Sequence, residues 1–178
     1  MKKQIILSIS IMAALALLLT ACGGGSARSV QEEVAVTLGL DLSRCEVVSS
    51  WDDHGGFHGD GTAFAELKCS GGGVLDQIME DSDWKAFPLD RTARALVYGV
   101  REEVGTEETG IMVYQTGPYL TGEEGDPLVP EIREGYYRLI DRHAEAGETD
   151  LLDRASLNFT LALYDTERDT LYFCEMDT

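Results

Sequence analysis

The chain has 178 residues, of which 32 are Asp or Glu and 14 are Lys or Arg, for a formal charge of −18. With 44% hydrophobic and 26% charged residues, it has the composition of a globular protein and not of a fibre or a disordered chain. The acidity excludes nucleic acid as a default partner, because phosphate recognition needs clustered Lys and Arg.

The N-terminus reads MKKQIILSISIMAALALLLTACGGG. Lys2 and Lys3 make a positive start, Ile5 to Leu19 is an apolar run, and small residues follow. This is the pattern of a secretory signal, too short and wrongly flanked for a stop-transfer helix. Leu19-Thr20-Ala21-Cys22 resembles the lipobox of bacterial lipoproteins. The resemblance implies a diacylglyceryl group on the Cys22 thiol, cleavage just before Cys22, and a place at the cell membrane facing outside the cytoplasm. The alternative is a signal without lipid and an incidental cysteine. Two acyl chains anchor durably where one binds only reversibly.

The expected organisation is a signal peptide at 1–21, a flexible tether at 22–28 rich in glycine, and one domain at 29–178. Cleavage leaves 157 residues, enough to bury a core without help from a disulfide or metal. It also removes Lys2 and Lys3, so the net charge becomes −20. An anionic membrane would repel this surface, so the lipid must do the anchoring. The acidity is either that of a solvated surface or a match for a cation or basic partner.

Ser29 to Leu38 reads as a helix opened by a Ser29/Glu32 capping box and closed by Gly39. Val30, Val34 and Leu38 share one of its faces. Cys45 to Trp51 and Thr62 to Cys69 read as strands of a hairpin. Pairing with partner numbers summing to 114 sets Val47 against Leu67, Ser49 against Ala65 and Trp51 against Ala63. The same register places Cys45 opposite Cys69. They form either a cross-strand disulfide or a pair of buried thiols.

Val74, Leu75, Ile78 and Met79 suggest a short helix. Asp90 starts another, expected to run through Val104 with Ala93, Leu96, Val97, Val100 and Val104 on one stripe and Gly105 as its stop. Ile111 to Gln115 and Tyr136 to Arg142 suggest strands, and residues 117–130, rich in Gly and Pro, suggest a loop. At the C-terminus Leu157, Phe159, Leu161 and Leu163 alternate with smaller or more polar residues. A four-residue turn at Thr166–Asp169 then gives pairs summing to 335: Leu163 with Tyr172, Leu161 with Cys174, Phe159 with Met176. The fold class expected is α+β. Its antiparallel sheet is built from the N-terminal β-hairpin and a C-terminal meander, with two or three helices packed on one face.

The stretch from Trp51 to Gly61 gathers Asp52, Asp53, His54, His58 and Asp60. Carboxylates suit Ca²⁺, and His with Asp suits Zn²⁺ or another transition metal. Neither the EF-hand spacing nor H-E-x-x-H occurs, and glycines with polar residues are also what a long hairpin loop requires. The loop is therefore either an ordered connection or a metal or ligand site. Cys174 falls on the apolar face of its strand, as a core thiol does. Asp141-Arg142-His143 could hold a general base, but a packing role is the simpler reading. No G-x-S-x-G elbow occurs, and Ser70-Gly71-Gly72-Gly73 lacks the lysine of a phosphate loop. No catalytic residue and no cofactor is assigned.

The segments DDHGGFHGDG, EGYYRLIDRH and NFTLALYDTERDTLYFCEMDT look like those of small uncharacterised lipoproteins of Gram-positive bacteria. That resemblance implies one compact α+β domain and transfers no functional residue. The expected function is a lipid-anchored extracytoplasmic module that binds an unknown protein or small molecule, basic or cationic in character, without enzymatic activity. The alternative is a metal-binding or ligand-sensing protein acting through the Asp52–Asp60 loop.

Overall fold

A computed structural model of the chain describes residues 29–55, 59–106, 110–143, 146–147 and 149–178. Residues 1–28, where the signal segment, Cys22 and the tether are expected, and His58 lie outside the described residues. Among these residues three α-helices and eight strands are formed: α1 (Val30–Leu38), α2 (Gly73–Glu80), α3 (Arg91–Val97), β1 (Glu46–Asp52), β2 (Gly61–Lys68), β3 (Lys85–Ala86), β4 (Val100–Thr106), β5 (Gly110–Thr116), β6 (Gly135–Asp141), β7 (Asn158–Asp165) and β8 (Thr170–Asp177). Six strands make one antiparallel sheet in the order β1-β2-β8-β7-β6-β3, while β4 and β5 form a separate ribbon. The class is α+β.

Local chemistry sets the ends of α1. Ser29 Oγ accepts from the Glu32 amide at 3.3 Å, and the Glu32 carboxylate accepts from the Ser29 amide at 3.1 Å. Gly39 closes the helix at φ 69°, a left-handed conformation that costs glycine nothing. The C-terminal hairpin has the register that its turn dictates, with Leu163 on Tyr172, Leu161 on Cys174 and Phe159 on Met176. Buried Asp165 fastens that turn. Its carboxylate accepts from the Glu167 and Arg168 amides at 2.9 and 3.0 Å and from the Arg168 guanidinium at 2.5 Å.

Both faces of the sheet are covered. On one, α1 and α2 lay Val34, Leu38, Val74 and Ile78 onto Ala65, Leu67, Ala162, Tyr164, Leu171 and Phe173. Arg138 holds both helices there, donating to the Leu38 carbonyl at 3.0 Å and pairing with Asp81 and Asp83. On the other face, α3 contributes Ala93, Leu96 and Val97, and the segment 117–134 contributes Leu120, Val129 and Ile132. That segment is irregular but firmly held. The Leu96 carbonyl accepts from both the Tyr119 and Leu120 amides at 2.9 Å, and the Tyr98 hydroxyl donates to the Pro130 carbonyl at 2.8 Å.

Two expectations need correcting. The helix opened by Asp90 stops at Val97, and residues 100–106 are strand, with Gly105 inside it and not at a helix end. Val100 and Val104 are four apart, a spacing that fits one face of a helix and equally one face of a strand. Gly99, at φ 78°, breaks the chain between the two, and its amide closes the helix on the Arg94 carbonyl. The second correction lies in the first hairpin. Glu46 and Val47 keep the expected register, but a bulge at Val48 shifts the rest, so Ser49 faces Glu66 and Trp51 faces Phe64. A one-residue slip exchanges the faces of the strand. Trp51 therefore stacks toward Phe64, ring centroids 6.2 Å apart, and not onto Ala63.

Several carboxylates are tuned by this packing. The Arg154 guanidinium, with oxygen contacts of 2.9 and 2.8 Å, holds the Asp141 carboxyl below its usual range. For Asp90, burial raises the pKa, but the Ala93 amide, the Tyr137 hydroxyl and Lys85 together outweigh it and the net shift is downward. A lowered folded-state pKa contributes stability above the unfolded value, and that stability is lost as pH falls through the folded value. The melting temperature is thus expected to drop steeply below about pH 4, near the ordinary value for Asp. In Asp141→Asn the acid limb of the profile should be shallower. An unchanged limb would show that Asp141 adds nothing to it.

Candidate functional site

The bulge at Val48 turns Ser50 and Asp52 toward the face occupied by α1. There they meet Ala65 and Ala63 of β2, which pair in turn with Phe173 and Glu175 of β8. Between these strands and α1 runs a groove of about 170 Å³. Val30, Val34, Ala63, Ala65 and Phe173 form much of its apolar wall, with Trp51 and Phe64 at one side. Its charged lining residues are Glu33, Asp52 and Glu175, all acidic, and no Lys or Arg among the described residues lines it.

Each acid is positioned differently. Glu33 stands on the first turn of α1 and is exposed. Glu175 is half-buried and accepts from the Thr160 hydroxyl at 2.8 Å. Asp52 accepts from the His54 amide at 2.9 Å and from its Nδ1 at 2.7 Å, and these bonds hold the carboxyl below its ordinary value. His54 Nε2 lies 3.2 Å from Asp177, whose carboxylate also takes Arg142 at 3.0 Å. A chain of polar contacts thus runs from Asp52 through His54 and Asp177 to Arg142. Gly61 permits it, because a Cβ there would sit 2.5 Å from the His54 Cα.

The five residues expected to ligate a metal are not all brought together. Asp52 and His54 converge. Asp53 turns back to accept from the Thr62 amide at 2.5 Å, Asp60 is exposed, and His58 lies outside the described residues. Among the described residues no group of three or more His, Cys, Asp or Glu is arranged to hold a metal ion. Glu33, Glu175 and Asp177 were missed by sequence reasoning. For Glu175 the signal was present: it falls on the same strand face as Leu171 and Phe173, where an apolar residue is expected.

Cys45 and Cys69 are joined by a disulfide, with Cα atoms 4.1 Å apart. Cys174 is a fully buried free thiol, pushed up to about 12 by burial, so it is inert at neutral pH. His143 Nε2 lies 3.2 Å from Ser156 Oγ. The Asp141 carboxylate beside it takes Arg154 and the His143 backbone amide. No helix among the described residues is long and apolar enough to cross a membrane. Comparison with protein-family models, curated proteins and solved structures finds no match to this chain.

Proposed function

We propose that the protein is a lipid-anchored, extracytoplasmic binding module without enzymatic activity. Its ligand is a small organic cation, or the basic side chain of a partner protein, seated in the groove between α1 and the sheet. One observation carries this reading: an apolar groove whose charged lining residues, among the described residues, are Glu33, Asp52 and Glu175. Aromatic and aliphatic walls favour an apolar body, and an acidic lining favours a positive head. The size suits a ligand smaller than a drug-sized molecule, whose sites span roughly 300–1,000 Å³. The lipobox-like Leu19–Cys22 supports the anchor. The Cys45–Cys69 bridge supports an oxidising compartment, where disulfides persist.

Trp51 is a built-in reporter, because the second tryptophan, Trp84, is buried elsewhere in the core. Titration with phenethylamine should change the Trp51 fluorescence, and its neutral alcohol analogue should not. Asp52→Asn with Glu175→Gln should weaken amine binding about tenfold or more, as expected for charge-assisted hydrogen bonds. Equal response to amine and alcohol, or none to either, would refute the cationic ligand. A mass for the membrane-bound chain lacking the acyl groups would refute the anchor.

A second reading, metal binding by the Asp52–Asp60 loop, draws on His54 held between Asp52 and Asp177. A metal at a hundredfold excess over its Kd would stabilise the fold by about 2.7 kcal/mol. A thermal shift with Ca²⁺, Zn²⁺ or Mn²⁺ that is lost in Asp52→Ala with His58→Ala would assign the site to this loop.

A further inference from the structure

We propose that the β4–β5 ribbon is a self-association surface, in which β5 of one chain pairs antiparallel with β5 of a second copy. A bare edge is a template for pairing, and proteins block such edges with charge, bulges or brevity. The outer edge of β1 carries a bulge at Val48 and charges at both ends, Glu46 and Asp52. At the far side of the sheet, β3 has only two residues, one of them Lys85. β4 carries Arg101, Glu102 and Glu103 at its centre. β5 has none of these devices. Its seven residues, GIMVYQT, include no charge, and its pairing with β4 is unbroken.

The same strand shows the most concentrated exposed apolar surface among the described residues. Ile111, Met112, Val113 and Tyr114 are consecutive and are 56%, 59%, 49% and 50% exposed. Because strand residues alternate, this run puts apolar residues on both faces of the ribbon: Met112 and Tyr114 beside Val104 and Glu102 of β4 on one, Ile111 and Val113 beside Gly105 and Glu103 on the other. A two-stranded ribbon alone in water is marginal, and added strands stabilise it.

The occupant follows from charge and symmetry. A cationic partner would find no carboxylate on β5 to meet. A second copy is repelled by the net charge of −18 at most approaches, but here contact is made by an uncharged strand. Among the described residues, Glu102 and Glu103 stand one strand back on β4 and are paired with Arg91 at 2.9 Å and Arg101 at 3.6 Å. A two-fold axis at the middle residue, Val113, uses the strand fully. It sets Ile111 against Gln115 and Met112 against Tyr114 of the other copy, and Val113 against itself, a self-complementary isologous contact. If the chains share a membrane through Cys22, confinement raises their effective concentration and a weak contact suffices.

The test uses the full chain, exported with its own N-terminus and treated with a mild oxidant. Val113→Cys places two thiols on the axis, so a covalent dimer should form at least ~10-fold more readily than from Gln115→Cys, which meets Ile111 in this register. The wild-type chain controls for Cys22. Adding Met112→Lys and Tyr114→Lys to Val113→Cys should suppress the dimer while protease resistance of the domain persists. Equal yields at 113 and 115, no dimer from a protease-resistant Val113→Cys chain, or cross-linking only to a protein of another mass would each overturn the proposal.

Discussion

Replacing Cys45 and Cys69 together by alanine is expected to cost the folded domain about 3.5 kcal/mol, the chain-entropy value for a loop of this length. The bridge spans a sequence separation of 24 and encloses the whole β1–β2 hairpin, including Asp52 at the end of β1 and His54 beyond it. Without it the unfolded chain regains the freedom of that loop, while the native contacts of the two buried positions change little. For a domain of this size the corresponding fall in melting temperature is about 7–14 °C. Calorimetry of the oxidised chain, the reduced chain and the double variant measures it. The reduced and double-variant chains should agree. A shift below about 2 °C would show that the bridge does not limit the unfolded ensemble.

The loss should also be local. β1 is an edge strand with solvent on its outer side, and it is held to the sheet by β2 and by the bridge at its start. Fraying of β1 would displace Ser50, Trp51 and Asp52 and so open one wall of the groove. Trp51 emission should therefore move before global unfolding in the reduced chain, while buried Trp84 reports only the global transition.

How much of this was legible in the residues depends on how many independent signals agreed at each place. At the C-terminus the four-residue turn and the alternation of Phe159, Leu161 and Leu163 both selected one register, and the β7–β8 pairing has it. In the first hairpin only the pairing sum was available. It holds for Glu46 and Val47 and fails past Val48, because a bulge leaves no mark in an alternation of small and polar residues. That failure mattered for the site, since the slip is what sends Asp52 to the α1 face and Trp51 to the other. At α3 a spacing of four between Val100 and Val104 satisfied two periods at once, and Gly99 was the deciding residue. Asp52 and His54 stood out in sequence because they are close along the chain. Glu33 and Glu175 did not, because they lie 142 positions apart and meet only when β8 pairs with β2 under α1.

Phe159→Ala is expected to destabilise the domain by about 3–5 kcal/mol, the range for truncating a buried aromatic ring. Phe159 is 0% exposed and lies on β7, which pairs with β6 on one side and β8 on the other. Six consecutive β7 residues from Thr160 to Asp165 are buried as well, so the strand has no solvent side toward which the structure could relax. The ring packs in the core shared with Leu96 of α3 and with Leu120 and Ile132 of the 117–134 segment. The Leu120 amide is tied to the Leu96 carbonyl and the Ile132 amide donates to the Tyr98 hydroxyl at 3.3 Å, so these groups resist moving in to fill the space, and the cavity cost adds to the lost transfer energy. A surface truncation of similar chemistry, Val36→Ala at 64% exposure, should by contrast stay within about 0.5 kcal/mol of wild type. Urea unfolding of both variants separates the two regimes. A loss below about 1.5 kcal/mol for Phe159→Ala would mean that the 117–134 segment is free to collapse onto β7, and that this face of the sheet is held less rigidly than its hydrogen bonds imply.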